Sequence, residues 1–354
     1  MPITRVLRLD PAHPAADALA LAAARLRAGG LVAFPTETVY GLGADALNAE
    51  AVERIFRAKG RPASDPLIVH VPGLAALPRV AAAAPPLART LAEAFWPGPL
   101  TLVLPRGPQV PDAVTAGGPT VAVRAPAHPV AQALLEASGL PIAAPSANRF
   151  ARPSPTTAQH VLDDLADRVD IVLDGGPVTI GLESTILDVT RTPPVILRPG
   201  GLPLEAIRRF APDCVVQARF LETESETAPA PGQFLKHYAP RAALRIFDGP
   251  RPAVLAAMQA AARELESLGQ SVGVLAPDEE AAGFEALAAA VERLGPAAEL
   301  GTVGQRLFAA LRALDARGVD VILARLPEQA GLGLAIRDRL YRAAEGRVTL
   351  INPS

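Results

Sequence analysis

Short apolar segments, several of them bounded by proline or glycine, are mixed with longer amphipathic segments over residues 1–203. Such apolar runs are typical of buried strands, whereas apolar residues recurring every three or four positions indicate helices. The predicted strands are 31–34, 67–71, 100–104, 120–124, 169–173, 184–189 and 195–197. The predicted helices are 15–28, 49–59, 86–95, 130–138 and 156–165, the last entered through Ser154-Pro155. Because strands and helices do not alternate strictly, we predict an α/β or α+β domain built on a largely mixed sheet.

The pattern changes after residue 203. Residues 222–231 have no apolar periodicity and are typical of a linker. Beyond them, strand-like segments at 244–247, 271–275 and 319–323 are separated by helical stretches. This alternation predicts a small parallel-sheet domain. We therefore expect a first domain over residues 1–203, a linker over 204–241 and a smaller α/β domain over 242–354.

The composition excludes several classes of function. The formal net charge of the 354 residues is −2, so no overall positive field would hold a nucleic acid by neutralising its phosphates. A membrane span needs about 20 consecutive apolar residues, and no such run occurs; the N-terminus also lacks the apolar stretch of a signal peptide, so we expect a cytoplasmic protein. The single cysteine, Cys214, excludes an intrachain disulfide, a four-cysteine zinc site and an iron–sulfur cluster. Its apolar neighbours predict a buried structural thiol.

Familiar cofactor signatures are absent as well. The five histidines are scattered, and no pair has metal-ligand spacing on one helix face. Neither lysine is followed by the serine or threonine that a Walker A loop requires. Gly331-Leu332-Gly333 lacks the third glycine and the preceding strand of a dinucleotide fingerprint. We therefore expect no metal site and no protein-bound cofactor.

Lysine is unusually scarce in this chain. Lys59 and Lys236 are the two lysines among 34 basic residues, and a residue type this rare points to positions that need its particular chemistry. Lys59 and Arg61 lie at the end of a predicted helix, directly before the loop from Pro62 to Pro66. Two cations there suit a polyanion such as a triphosphate. The alternative is that they only favour the negative end of the helix dipole.

Further segments carry polar groups in positions suited to a binding site. Residues 35–43 follow the first predicted strand, where open sheets commonly bind ligands; an ordinary polar turn is the alternative. Arg124 ends a strand and would suit a carboxylate through two hydrogen bonds, although exposed arginine is common in this chain. Ser146 and Asn148 point to the same side if their segment is extended. Residues 231–240 concentrate rare residue types between two prolines, which favours a lid over a plain hinge.

Together these segments resemble the threonylcarbamoyl-AMP synthase family. The resemblance rests on Phe34-Pro35-Thr36-Glu37-Thr38-Val39-Tyr40-Gly41-Leu42-Gly43, on Lys59-x-Arg61 with Ser146-x-Asn148, on Trp96-Pro97-Gly98-Pro99 and on His237-Tyr238-Ala239-Pro240. Each motif alone is modest, but their common order and spacing are specific and cover nearly the whole chain. The similarity is to the long form of the family, in which a YrdC-like domain with a twisted mixed sheet and flanking helices precedes a smaller Rossmann-like domain. It implies that residues 1–203 are catalytic, 204–241 form a linker and active-site lid, and 242–354 are accessory.

The resemblance also implies which residues bind the substrates. An L-threonine pocket would fall on Thr38, His70, Arg124, the backbone at Ala144, and Ser184, with Arg124 holding the carboxylate. An ATP site would fall on Arg61, Asp65, Thr120, Ser146, Ser154, Arg198 and Tyr238. The catalytic signature near the phosphates would be Lys59, Arg61, Ser146 and Asn148. No protein side chain is implied as a metal ligand.

The implied activity is that of a nucleotidyltransferase. It would condense L-threonine, bicarbonate and ATP, with Mg²⁺ accompanying the ATP, to L-threonylcarbamoyladenylate and pyrophosphate. A separate transferase would use that product to modify tRNA next to the anticodon, so stable tRNA binding is not expected, in agreement with the near-neutral charge. Two alternatives stay open: an RNA-binding YrdC-like module and a regulatory protein without synthase activity. A related domain carries out carbamoyl adenylation in hydrogenase maturation, but those proteins have zinc-binding cysteines that this chain lacks.

Overall fold

The computed structural model describes residues 4–217, 235 and 237–352. The chain divides into two compact units. Among the described residues, the first is built from 4–150, 154–179 and 183–217, and the second from 151–153, 180–182, 235 and 237–352. Two short segments, 151–153 and 180–182, therefore belong to the second unit although they are flanked in the sequence by residues of the first.

A mixed sheet, eleven-stranded over the described residues, forms the centre of the first unit. Its strands are β1 (Arg5–Arg8), β2 (Val32–Phe34), β3 (Gly41–Asp45), β4 (Ile68–His70), β5 (Leu100–Pro105), β6 (Thr120–Arg124), β7 (Ile142–Ala143), β8 (Ile171–Asp174), β9 (Thr185–Asp188), β10 (Val195–Arg198) and β11 (Val215–Val216). Their order across the sheet is β1-β8-β2-β3-β7-β4-β6-β5-β9-β10-β11. β4 and β6 are parallel, as are β5 and β9, whereas β5 and β6 are antiparallel. The predicted mixed sheet is confirmed.

Helices flank this sheet and bury its apolar side chains. They are α1 (Ala16–Arg27), α2 (Ala49–Lys59), α3 (Pro86–Phe95), α4 (Asp112–Thr115), α5 (Pro129–Ser138), α6 (Ala158–Leu165) and α7 (Leu204–Arg208), with a 3₁₀ helix at Leu74–Arg79. In one core Leu26 of α1 and Leu134 of α5 pack with Phe34. In a larger core Ile55 of α2 is buried with side chains of α3 and α6. Cys214 is buried there as a free thiol, as its apolar neighbours predict.

Residues 41–43 differ from their prediction, because they belong to a strand rather than to a loop. Glycine has no preference for strands, but β3 pairs antiparallel with both β2 and β7. Gly43 is needed for this close approach. A Cβ at that position would lie 2.8 Å from Ile142 Cγ2 and from Phe34 Cε1. Tertiary pairing therefore overrides the local turn signal.

The start of α6 also differs from its prediction. The helix begins at Ala158, and Thr157 caps it by accepting a hydrogen bond from the backbone N–H of His160 at 3.3 Å. Pro155 lies outside the helix, and its carbonyl accepts a 2.9 Å hydrogen bond from the backbone N–H of Tyr40. Pro155 is therefore bound to the segment before β3, and residues 154–155 do not open the helix.

The second unit has a parallel five-stranded sheet within the described residues. Its strands are β12 (Ala243–Asp248), β13 (Val272–Ala276), β14 (Ala290–Arg293), β15 (Val321–Arg325) and β16 (Val348–Leu350), in the order β14-β13-β15-β12-β16. Its helices are α8 (Arg251–Ser267), α9 (Asp278–Ala281), α10 (Leu300–Ala316) and α11 (Gly333–Ala343). The predicted parallel sheet is confirmed. Sequence patterns missed β14 and β16, which are the short edge strands and are only partly buried.

Candidate active site

Neighbouring strands of the first unit place polar side chains side by side. His70 at the end of β4 pairs with Arg124 at the end of β6, and Arg124 pairs with Thr101 of β5. Residues paired in register point to the same face of a sheet. The row continues through Ile186 of β9 to Arg198 of β10. Four polar side chains from four strands therefore share one face.

The buried guanidinium of Arg124 is held by three neighbours. Its Nη1 donates to Thr38 Oγ1 at 2.8 Å, its Nε donates to the Gly98 carbonyl at 3.1 Å, and its Nη2 lies 2.7 Å from Glu37 Oε1. The loop between β2 and β3 supplies both Thr38 and Glu37. Thr36 shapes this loop, because the hydroxyls of Thr36 and Thr38 are 2.8 Å apart. A guanidinium fixed in this way presents its remaining N–H groups in defined directions, which suits a carboxylate.

His70, beside Arg124, is uncharged near neutral pH. Burial and the positive charge of Arg124 lower the pKa of His70 to about 3, because both disfavour the imidazolium form. Its Nδ1 is buried and has no hydrogen-bond partner among the described residues. Phe34 contacts the ring edge-on, with 6.1 Å between the ring centroids. His70 therefore contributes a neutral imidazole and not a second cation.

Ser184 and Ala144 lie beside the same row of strands. Ser184 Oγ is 2.7 Å from Thr101 Oγ1, and Arg198 donates to the Ser184 carbonyl at 2.9 Å. Ala144 follows β7, and its backbone N–H donates to the Ile68 carbonyl on β4 at 2.9 Å. Of the residues predicted for L-threonine, His70 and Arg124 lie on β4 and β6, whereas Thr38, Ala144 and Ser184 lie in the loops next to β3, β7 and β9.

Lys59 organises the loop that carries Ser146 and Asn148. Helix α2 is capped at its start by Asn48 and ends at Gly60, which has a φ of 66°, and this leaves Lys59 buried in the last turn. Lys59 Nζ donates to the backbone carbonyls of Ser146 at 2.5 Å and Asn148 at 2.6 Å. The rare lysine therefore joins the two halves of the predicted catalytic signature.

Arg61 and Asp65 form a buried ion pair of 2.9 Å. Arg61 also donates to the carbonyls of Asp65 at 3.2 Å and Pro66 at 2.8 Å. The negative charge of Asp65 is balanced by Arg61. The structure therefore places Asp65 as the residue that orients Arg61.

The other residues predicted for ATP lie at separate points of the first unit. Ser154 donates a short hydrogen bond to a carboxylate oxygen of Glu183, and both residues are buried. Arg198 contacts Ser184, as described above. Thr120 is half-buried at the opposite end of β6 from Arg124, about 13 Å along the strand.

Tyr238 belongs to the second unit, where its ring is buried. The Phe308 ring centroid lies 5.4 Å from that of Tyr238, and the guanidinium carbons of Arg339 and Arg342 lie 5.0 and 5.5 Å from it. Guanidinium groups over an aromatic ring make cation–π contacts. The assignment of Tyr238 to ATP stays a prediction. Lys236, the other rare lysine of the expected lid, lies outside the described residues.

Three polar residues at the site have no role in the sequence prediction: Glu37, Thr101 and Glu183. Each is buried and contacts a predicted site residue. Glu37 and Glu183 lie inside segments that the sequence analysis selected, next to the predicted site residues Thr38 and Ser184. Their position in the sequence could therefore have identified them. Thr101 is a single hydroxyl inside an apolar strand. Because buried polar groups need hydrogen-bond partners, a single threonine in an apolar strand indicates a polar neighbour, and this could have identified Thr101.

Neither a metal-binding cluster nor a membrane-spanning helix is present in the described part of the chain. No group of three or more histidine, cysteine, aspartate or glutamate side chains there is arranged to hold a metal ion. No helix among those residues is long and apolar enough to span a membrane.

Comparisons with known proteins agree on one family. A family model described as "Telomere recombination", covering Sua5, YciO and YrdC proteins, matches residues 24–200, and one described as "Threonylcarbamoyl-AMP synthase, C-terminal domain" matches residues 202–345. The threonylcarbamoyl-AMP synthase of Pyrococcus abyssi is 47% identical and that of Bacillus subtilis 46% identical, each alignment covering 93% of this chain and 94% of the relative.

A solved structure is similar over its whole length. The crystal structure of Pyrococcus abyssi Sua5 complexed with L-threonine superimposes with a TM-score of 0.92 at 43% identity, covering 98% of this chain and 100% of that one. Both the sequence relatives and this structure extend over the two units. The chain therefore belongs to the threonylcarbamoyl-AMP synthase family, in its two-domain form.

Proposed function

We propose that this protein condenses L-threonine, bicarbonate and ATP to L-threonylcarbamoyladenylate and pyrophosphate. The observation that carries the proposal is 47% identity, over 93% of the chain, to a threonylcarbamoyl-AMP synthase. The polar row around Arg124 supports it, because that row provides a buried cation and hydroxyl groups for an amino acid. Similarity favours this synthase activity over an RNA-binding or regulatory protein without it.

In the proposed threonine pocket, Arg124 binds the substrate carboxylate. Thr38 and Gly98 fix its guanidinium in the free protein. Little further side-chain conformational entropy is therefore lost when the substrate binds. The hydroxyl of Ser184, the neutral ring of His70 and the backbone at Ala144 complete the pocket. A pocket with these groups selects a small amino acid with a hydrogen-bonding side chain.

The proposed ATP site is formed by Arg61, Asp65, Thr120, Ser146, Ser154, Arg198 and Tyr238. ATP enters as its magnesium complex, and the metal ion arrives as part of that substrate. Lys59 and Asn148 act near the phosphates. Lys59 contributes positive charge and, through its two backbone contacts, the shape of the Ser146–Asn148 loop.

The proposed chemistry has two steps and makes the protein a nucleotidyltransferase. The threonine amine and bicarbonate first combine to a carbamate with loss of water. A carbamate oxygen then attacks the α-phosphorus of ATP, and pyrophosphate leaves. Transfers at phosphorus depend on positioning and on charge stabilisation. Arg61 and Lys59 supply preorganised positive charge for the leaving pyrophosphate.

We propose the following division of labour along the chain. Residues 1–203 carry out catalysis, 204–241 act as linker and lid, and 242–354 are accessory. A lid is useful because carbamates and acyl adenylates react with water, which a closed site excludes. The adenylate then passes to a separate transferase that modifies tRNA, which places the activity in the cytoplasm. With a net charge of −2, the protein itself has no overall field to hold tRNA.

Product analysis tests this function. The full-length protein is incubated with ATP, L-threonine and bicarbonate, and the products are identified by mass spectrometry. We expect L-threonylcarbamoyladenylate and pyrophosphate in the complete mixture and neither when any one substrate is omitted. Tight, salt-dependent tRNA binding without ATP or L-threonine, and no adenylate, would favour the RNA-binding alternative.

A further inference from the structure

Glu37 and Arg124 form a buried ion pair whose facing atoms are not aligned as a hydrogen bond, and His70 lies on the neighbouring strand. Among the described residues, Glu37 Oε1, Arg124 Nη2 and His70 Nδ1 each have almost no exposed surface and no hydrogen-bond partner. The first two atoms are 2.7 Å apart, and His70 is the register neighbour of Arg124. Buried side-chain polar atoms in folded proteins nearly always have partners, so unpaired ones need an explanation. The Glu37–Arg124 pair lacks hydrogen-bond alignment, and His70 Nδ1 on the adjacent strand is unpartnered by the same criterion, so this region points to a ligand that adds hydrogen bonds.

The Glu37 carboxylate is fixed in place but keeps one oxygen available. Its Oε2 accepts a hydrogen bond from the backbone N–H of Ala127 at 3.0 Å. Its Oε1 lies close to Arg124 Nη2 without the alignment of a hydrogen bond, unlike the contacts of Arg124 with Thr38 and Gly98. A carboxylate oxygen and a guanidinium nitrogen each have more than one bonding direction. Both atoms therefore keep the capacity to bind a third group.

An α-amino acid matches this pair of opposite charges. It carries its carboxylate and its ammonium on the same carbon, so the groups that bind them must be neighbours. Arg124 is the proposed partner of the carboxylate, and the anionic group beside it is Glu37. His70 is neutral and does not repel an ammonium. Hydrogen bonds between charged groups are roughly twice as strong as neutral ones.

We propose that Glu37 Oε1 binds the α-ammonium of the L-threonine substrate. The inference rests on the proposed function, because it takes the amino acid to lie on Arg124. Glu37 then distinguishes an α-amino acid from a hydroxy acid of similar shape. It also holds the nitrogen, which has to release one proton to become the free amine that combines with bicarbonate.

A comparison of two ligands tests this role. L-Threonine and 3-hydroxybutyrate share a carboxylate, a hydroxyl and a methyl group and differ in the α-ammonium. Their binding to the full-length wild-type protein and to Glu37→Gln is measured by isothermal titration calorimetry. The Gln variant keeps an oxygen for the Ala127 N–H and removes the negative charge. We expect the Kd of L-threonine to rise about tenfold or more, as for loss of a charged hydrogen bond, and the Kd of 3-hydroxybutyrate to change less than about twofold.

The contrary outcomes are distinct. If Glu37 only holds Arg124 in place, both ligands lose affinity equally, because both carry the carboxylate; equal loss, or an unchanged Kd for L-threonine, overturns the proposal. Glu50→Gln, at an exposed position of α2, is the matched control for charge removal. Glu37→Asp answers the question if the Gln variant does not fold, since it keeps the charge on a shorter side chain and is expected to weaken L-threonine binding alone. If Glu37→Gln weakens L-threonine selectively but the wild type makes no adenylate, the proposed function fails and this inference about amino-acid binding stands.

Discussion

The Nζ atom of Lys59 lies 2.6 Å from the backbone carbonyl oxygen of Asn148. Lys59 ends α2, whereas Asn148 lies in the loop after β7, so this contact fixes the loop on the helix. The same Nζ donates to the Ser146 carbonyl. A lysine that both carries charge and shapes a loop has two ways to affect catalysis.

Replacing Lys59 by alanine is expected to lower L-threonine- and bicarbonate-dependent pyrophosphate release by at least about 100-fold. The lost contacts cost about 1–3 kcal/mol for each of the two buried carbonyls left without a donor, so the variant is expected to be less stable and its turnover is compared under conditions in which it is folded. Arg57→Ala, at an exposed position of the same helix, is the control for removing a cation. Turnover close to that of the wild type would show that Lys59 has no part in the reaction.

Replacing Arg124 by lysine is expected to raise the KM for L-threonine about tenfold or more. Lysine keeps the charge but cannot reproduce the fork that contacts Thr38, Gly98 and a carboxylate together. The affinity for ATP, measured in the absence of threonine, should change little. Arg89→Lys at an exposed site serves as the control. A KM effect confined to ATP would remove Arg124 from the threonine pocket.

The pH dependence of the free energy of unfolding should reflect the low pKa of His70. Its pKa in the folded protein is about 3, below the ordinary value of about 6.5, so between these values the unfolded chain binds the extra proton. The free energy of unfolding therefore falls as the pH falls through this window. Between pH 7 and pH 5, His70 should account for a loss of up to about 2 kcal/mol.

Denaturant unfolding of the wild type and of His70→Gln at pH 7 and pH 5 measures this loss of unfolding free energy. The variant should lose less stability on acidification than the wild type does. His13→Gln, at an exposed histidine, is the matched control. Equal losses in the wild type and in His70→Gln would mean that His70 is not held neutral in the folded protein.

Any side chain at position 43 is expected to destabilise the protein. Gly43→Ala should lower the free energy of unfolding by about 1–3 kcal/mol, because its Cβ would collide with Ile142 and Phe34. Gly73→Ala is the control, since that Cβ meets nothing within 4 Å; its effect should stay within about 0.5 kcal/mol. Similar urea midpoints for the two variants would argue against the tight pairing of β3.

Tyr238 is expected to contribute to forming or retaining the adenylate. Tyr238→Ala removes a ring that is packed on Phe308 and Arg339, and we expect less adenylate and more of it lost to hydrolysis. Tyr238→Phe keeps the ring and separates the hydroxyl from the packing. Tyr341→Phe is the control. Adenylate yields equal to the wild type in both Tyr238 variants would contradict the lid role of this segment.

Local sequence signals were sufficient to predict the start and end of an element when the residues that end it lie within or next to it. α2 has the bounds that its pattern predicts, because Asn48 caps the first turn and Gly60 adopts the left-handed conformation that ends it. The strand over 120–124 likewise has the predicted bounds. Prediction of secondary structure was weaker where pairing with other strands decides the conformation. β3 was missed because pairing with β2, the preceding strand, and with the distant β7, and not the preferences of its own residues, makes it extended.

The candidate site shows the same division. The motif around Lys59, Arg61, Ser146 and Asn148 was recognisable in the chain, but the contacts of Lys59 with backbone carbonyls were not, since hydrogen bonds to backbone leave no trace in residue identity. Glu37 lies within a recognised motif, yet its partner Arg124 is on β6, and nothing local connects the two.

The amino-acid sequence by itself determined the family, the mixed and parallel sheets and the residue types available for chemistry, because these follow from local periodicity and from motifs of a few neighbouring residues. Only the tertiary structure decided that His70, Arg124 and Thr101 stand in one row, and that Glu37 faces Arg124. The physical reason is strand register. Pairing between segments far apart in the chain depends on the packing of the whole sheet, and a shift by one residue would turn each of these side chains to the opposite face.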